Sequence, residues 1–259
     1  MSALFFSVLT SLLYIFTSFF ASFFYKKMKF STNDYRKILS FSFGILLATS
    51  FFSILPFSLK TLSFELTLFF FIFGFLTFLF LENFIHKTHC KNNGKNSRDI
   101  KDGKHCHSGL LNLAGDFVHN FIEGIGLAVA YITSIPMGIS ITLASIAHEI
   151  PKELSDYAIL LKSKYSLPKA TKLNLLVSLP VLPGVLLTFL FLDQIITYYY
   201  VKPLVLTFLG GMFFYIAIND FYPQIILKNN IKENTLQAVF VLFGLMFVVI
   251  LDFLLDHSY

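Results

Sequence analysis

Charge is what this sequence has least of. Only 14% of its 259 residues are Asp, Glu, Lys or Arg, 56% are hydrophobic, and the mean hydropathy is +0.71. Soluble domains run nearer to about a quarter charged, so a water-soluble globular class is excluded. Long polar stretches are scarce too. None within these residues is long enough to hold a core of its own, so no soluble domain is expected. Tryptophan is absent, and the aromatics are 34 Phe and 12 Tyr; a bias of that kind assigns no role to any single Phe. The net charge of +5 and pI of about 9.0 suit nucleic acid only if the basic residues form a face on a soluble fold. They fall instead in short segments between apolar runs, so nucleic acid is excluded as a partner.

What is present is a succession of apolar runs. A spanning helix needs about 20 mostly apolar residues, and such runs occupy 3–24, 38–58, 64–85, 110–132, 136–161, 171–192, 203–223 and 235–255. The first has no basic residue before it, no short apolar core and no clear cleavage site, so it reads as a spanning helix rather than a signal peptide. Cytoplasmic loops carry the excess of Lys and Arg. With the N-terminus outside, 17 of the 20 basic residues fall in inner loops, two (Lys60 and Lys202) in outer ones, and Lys152 within a span. The expected fold is an all-α membrane protein of eight transmembrane helices with both termini outside. Residues 1–259 form a single polytopic domain, and the polar segment 86–108 between helices three and four is cytoplasmic.

Ionisable residues inside hydrocarbon are costly and mark function by default. They concentrate on two neighbouring spans. Span four carries Asp116, His119, Asn120 and Glu123, and span five carries His148, Glu149, Lys152, Glu153 and Asp156. His119 and Glu123 are four apart and share a helix face, as do Asp116 with Asn120, His148 with Lys152, and Glu149 with Glu153. Imidazole mixed with carboxylate suits zinc, iron(II) or manganese, whereas calcium and magnesium prefer oxygen alone. Pro151 cannot donate a backbone hydrogen bond, so the Ala147 carbonyl is expected to lose its helical partner where the helix kinks. Gly124 and Gly126 permit spans four and five to approach closely.

These residues resemble the ZIP (Zrt/Irt-like) metal transporter family. HNFIEG from His119 is similar to that family's span-four signature, and HEIPKELSD from His148 to its span-five signature. FGILLATS with ILP, GFLTFLFLENFIH and GGMFFYIAINDFYP extend the likeness over most of the chain. The resemblance implies a two-metal centre. His119, Glu123 and His148 form one site, and Asn120 with Glu149 the other, Glu123 being shared. Asp116 and Glu153 are accessory candidates. Lys152 departs from the pattern, because the family usually places a ligand there. Either its ammonium stands in for the second cation, or it turns to Asp156 or Glu153 and leaves both sites usable. Ser53, Phe57 and Gln224 are further departures, and Asp220 reads as structural or near the membrane surface.

Segment 86–108 holds both cysteines and four of the seven histidines. His86, His89, Cys90, His105, Cys106 and His107 lack zinc-finger spacing and read as an exchangeable metal-capture loop in a reducing compartment. The expected function is uptake of a divalent transition metal toward the cytoplasm through the cell (inner or plasma) membrane. Zinc is the first candidate, iron(II) or manganese the next. The resemblance also implies a homodimer and an elevator-like movement of one helix group past another. No enzyme activity and no cofactor are expected. A proton-coupled carrier of another solute and a metal sensor without flux are the alternatives. An intramembrane zinc protease needs His-Glu-x-x-His, and position 152 is Lys.

Overall fold

The computed structural model describes residues 2–27, 32–92, 109–162, 165–196, 198–226 and 230–256, and among these every regular element is helical. Hydrocarbon offers no water to a backbone N–H or C=O, so apolar runs of this length form helices, which satisfy their own ladder. The first is α1 (Ser2–Lys27). The second run is α2 (Thr32–Ala48), a π turn at Thr49–Ile54, and α3 (Leu55–Leu59). The widened turn has a local cause. Pro56 has no N–H for the carbonyl one turn back, and an i→i+5 turn re-registers the ladder ahead of it.

Three long helices follow: α4 (Phe64–Asn92), α5 (Gly109–Thr133) and α6 (Ile135–Lys162). The sixth run is divided into α7 (Leu167–Ser178), α8 (Val181–Leu187), a π turn at Thr188–Leu192, and α9 (Asp193–Ile196). In the seventh, α10 (Val201–Tyr215) passes through a π turn at Ile216–Phe221 into α11 (Tyr222–Ile225), again just ahead of a proline, Pro223. The last run is α12 (Ile231–Asp256). Helix α4 continues past the third apolar run, so His86, His89 and Cys90 stand on helical backbone; their side chains, like His105, Cys106 and His107 altogether, lie outside the described residues.

Among the described residues, six stretches are long and apolar enough to cross a bilayer: Ser2–Phe20, Asp34–Leu59, Phe64–Phe84, Leu167–Phe191, Val201–Ile225 and Ile231–Leu255. Burial is inverted relative to a soluble protein. On α1 the polar Ser7, Thr10, Ser11, Tyr14 and Ser18 are buried, while Phe5, Leu12, Phe16 and Phe19 are exposed. On α12 Gln237 is buried against Ser40, and Phe243, Phe253 and Leu254 face outward. Polar side chains turned inward and large apolar ones outward fit a lipid solvent. The chain is an all-α membrane protein.

The helices pack in two groups. One is α1, α5, α6, α7 and α8; the other is α2, α4, α10 and α12. Within each group backbones touch at glycine. A Cβ on Gly244 of α12 would strike the Phe41 carbonyl of α2, and one on Gly44 of α2 would strike the Val241 carbonyl of α12. Gly124 of α5 and Gly184 of α8 form the same kind of seam against Val181 and Phe121. Small residues let main chains approach where lipid gives no hydrophobic drive for association. The expectation that Gly124 and Gly126 bring spans four and five together is therefore corrected: Gly124 meets α8 and Gly126 meets Leu209 of α10. The groups meet where α2 lies on α6, and where α4 and α10 lie on α5.

Candidate metal centre

Helices α5 and α6 carry their polar residues on facing stripes, because i,i+4 spacing stacks side chains one turn apart. Four of these residues converge. His119, Glu123, His148 and Glu149 each offer one ligand atom, all four within 4.8 Å of one another, and all are buried. Three of the atoms form a compact triangle. His119 Nε2 lies 3.3 Å from His148 Nε2, and Glu123 Oε2 lies 3.2 Å from the first and 3.5 Å from the second. Ligands about 2.0–2.1 Å from a tetrahedral zinc are separated by about 3.3–3.4 Å along each edge. The triangle is one face of such a tetrahedron.

The surroundings present these atoms as acceptors. His148 Nδ1 faces the Ala144 carbonyl at 2.9 Å, so Nδ1 carries the proton and the Nε2 lone pair points at the cluster. Glu123 Oε1 and both Glu149 carboxylate oxygens are buried with no hydrogen-bond partner among the described residues. Buried acceptors without donors are costly, and a divalent cation at this point would satisfy them. Aromatic rings close the apolar side: Phe78 of α4 meets His119 edge-on at 5.8 Å, and Phe213 of α10 lies 5.4 Å from His148. Both rings belong to the second helix group, so the cluster sits at the boundary between the groups.

Lys152 stays out of the cluster. Its ammonium pairs across the two helices with Asp116 Oδ1 at 2.8 Å. Asn120 is buried beside Glu123, and Glu153 one turn below Glu149, its main-chain carbonyl accepting from Asn174 Nδ2 at 3.2 Å. Pro151 lies within the continuous helix α6. The freed Ala147 carbonyl accepts from Ser42 Oγ of α2 at 2.6 Å.

A profile of the family described as ZIP Zinc transporter matches residues 87–252. The chain belongs to the ZIP family. The zinc transporter zipt-7.2 of Caenorhabditis elegans is 32% identical over 142 residues, covering 54% of this chain and 30% of the relative. The zinc transporter ZIP13 homolog of Drosophila melanogaster is 29% identical over 161 residues, covering 62% and 45%. The zinc transporter SLC39A7 of Canis lupus familiaris is 29% identical over 162 residues, covering 61% and 34%. The chain thus spans less than half the length of each of these relatives.

Within this ZIP chain several polar residues at or near the site are not singled out by sequence pattern alone. Tyr14 of α1 reaches Asn120 and Glu123 with its hydroxyl. Asp252 of α12 accepts from Ser140 Oγ at 2.5 Å and from Ser53 Oγ, joining three helices. Glu82 of α4 accepts from Tyr215 and, at 3.1 Å, from Asn219, whose amide also lies 3.3 Å from Asp220. Tyr14 had a signal. Residues 7, 10, 11, 14, 17 and 18 are polar at helical spacing within a mostly apolar run, the mark of a stripe turned inward.

Proposed function

We propose that this protein carries divalent transition metal ions, zinc first and iron(II) or manganese next, across a cell membrane toward the cytoplasm. The single observation that carries the reading is the triangle of His119 Nε2, His148 Nε2 and Glu123 Oε2, with sides of 3.2, 3.3 and 3.5 Å. Family membership and the zinc named for the relatives support it. The metal is the cargo, held by His119, Glu123 and His148, with Glu149 the fourth ligand. Asn120 belongs to the adjoining second position. That position is occupied electrostatically by Lys152, whose ammonium, paired with Asp116, leaves one well-formed metal site. The capture loop 86–108 receives the ion on the inner side.

Eight spans, with both termini outside, follow if α5 and α6 also cross. At a rise of about 1.5 Å per residue both are long enough, and their charges are buried against protein rather than lipid. The two helix groups give transport a mechanical basis. Glycine seams hold helices within each group, while side chains and a few hydrogen bonds join the groups at the metal cluster, so one group shifting against the other would move the ion between two aqueous faces. The chain works as a carrier, not an enzyme, and as a homodimer. A zinc protease would need a second imidazole where Lys152 stands.

Radiolabelled zinc uptake into proteoliposomes tests the proposal. Uptake is expected for the wild-type chain and loss to the empty-liposome level for His119→Ala/Glu123→Ala/His148→Ala. Undiminished flux in the triple variant overturns it.

A further inference from the structure

We propose that Tyr14 is a positioning residue of the metal centre: its hydroxyl, bridging Asn120 and Glu123, holds the Glu123 carboxylate in the orientation in which it meets the ion. The inference rests on the transport reading above and adds a residue from a third helix to the site.

Its place in the fold is the first support. Tyr14 is 0% exposed midway along α1, with its Oη 2.7 Å from Asn120 Oδ1 and 2.8 Å from Glu123 Oε2. One hydroxyl proton is thus shared between two acceptors on successive stripes of α5. A phenylalanine would fill the same volume without the cost of burying a hydroxyl. The oxygen is there for its partners.

The second support is which atom it touches. Glu123 Oε2 is the oxygen that faces both imidazoles, at 3.2 Å and 3.5 Å. A carboxylate oxygen has two lone pairs. With one engaged by Tyr14, the carboxylate plane is fixed and the other lone pair stays aimed at the imidazole pair. Asn120 is held from its far end as well, Nδ2 donating to the Val177 carbonyl of α7 at 2.7 Å, which turns Oδ1 toward Tyr14. The chain Val177, Asn120, Tyr14, Glu123 therefore runs through α7, α5 and α1 and ends on the central ligand. Partners of this kind orient metal ligands, and their loss weakens metal binding by about 10–100-fold.

Zinc affinity of the full-length protein in detergent, measured by competition against a chelator, tests this. Tyr14→Phe should bind zinc about 10–100-fold more weakly than wild type, with its unfolding midpoint in the absence of metal little changed. The visible absorption of the cobalt(II)-loaded protein should shift, since it reports ligand geometry and not fold. In an Asn120→Ala background the same substitution should cost less, because the two residues act as one unit. Affinity within twofold of wild type together with an unaltered cobalt spectrum overturns the proposal. Zinc binding without flux in the wild type sinks the transport reading alone, the Tyr14 comparison being decided by affinity; a wild type that binds no zinc sinks both.

Discussion

At the scale of residues, a centre that takes one ion, as proposed, would owe this to position 152. An ammonium has three donors and no lone pair to offer a metal while it is protonated. Lys152 is held in that state by the Asp116 carboxylate at 2.8 Å, both side chains being largely buried. Removing only one partner of such a pair leaves an uncompensated charge and costs about 3–5 kcal/mol, so the lysine has no inexpensive way to leave. Lys152→His changes the chemistry without changing the helix face. The imidazole would stand one turn from His148, next to Asn120, Glu149 and the shared Glu123. Metal counting on purified protein should then rise from one zinc per chain in the wild type to two in the variant. An unchanged count would mean that Lys152 does not hold the second position.

At the scale of elements, the proline-bearing α6 is tied to α2 rather than left open. Ser42 Oγ donates to the Ala147 carbonyl at 2.6 Å, and the Tyr35 hydroxyl lies 3.3 Å from the Pro151 carbonyl. One helix of the second group thus satisfies two main-chain oxygens of the first. Ser42→Ala should lower stability by about 1 kcal/mol, because it orphans a partly buried carbonyl. Pro151→Ala restores an N–H within reach of that carbonyl. In the double variant, loss of the serine should then cost well under half as much. Thermal unfolding midpoints in detergent check this, and strictly additive effects would argue against the shared carbonyl. The loss of Ala147's partner was legible in the sequence, since proline dictates it locally. The donor was not, because Ser42 lies 105 positions away and apolar spans do not encode their neighbours. The π turns at Thr49–Ile54 and Ile216–Phe221 were hidden for a related reason, as an apolar run looks the same whether a turn is normal or widened. The seams of Gly124 and Gly126 were read toward the wrong helix. Glycine marks that a backbone comes close, without saying whose. The two ligand-bearing stripes were readable because an ionisable group within an apolar run is too costly to stand there without a partner or a role.

At the scale of the whole molecule, charge and helix count constrain each other. Among the described residues the eight apolar runs of the sequence reappear as eight helical stretches, of which six are long and apolar enough to cross by composition alone. Whether only one of α5 and α6 crosses decides on which side every later loop lies. If both cross, the basic residues alternate as the positive-inside rule requires, with Lys60 and Lys202 outside and Lys172 and Lys232 inside. If only one crossed, Lys172 would share a side with Lys60, and Lys202 would lie on the opposite side. Single cysteines at these four positions, in a background with Cys90 and Cys106 replaced by serine, separate the cases. With a membrane-impermeant maleimide on intact cells, Lys60→Cys and Lys202→Cys should label, while Lys172→Cys and Lys232→Cys should label only after permeabilisation. Labelling of Lys172→Cys in intact cells would remove one of the two ligand-bearing helices from the spanning set. His119 and His148 could then no longer meet at membrane depth across two spanning helices, and the carrier reading would fall with them.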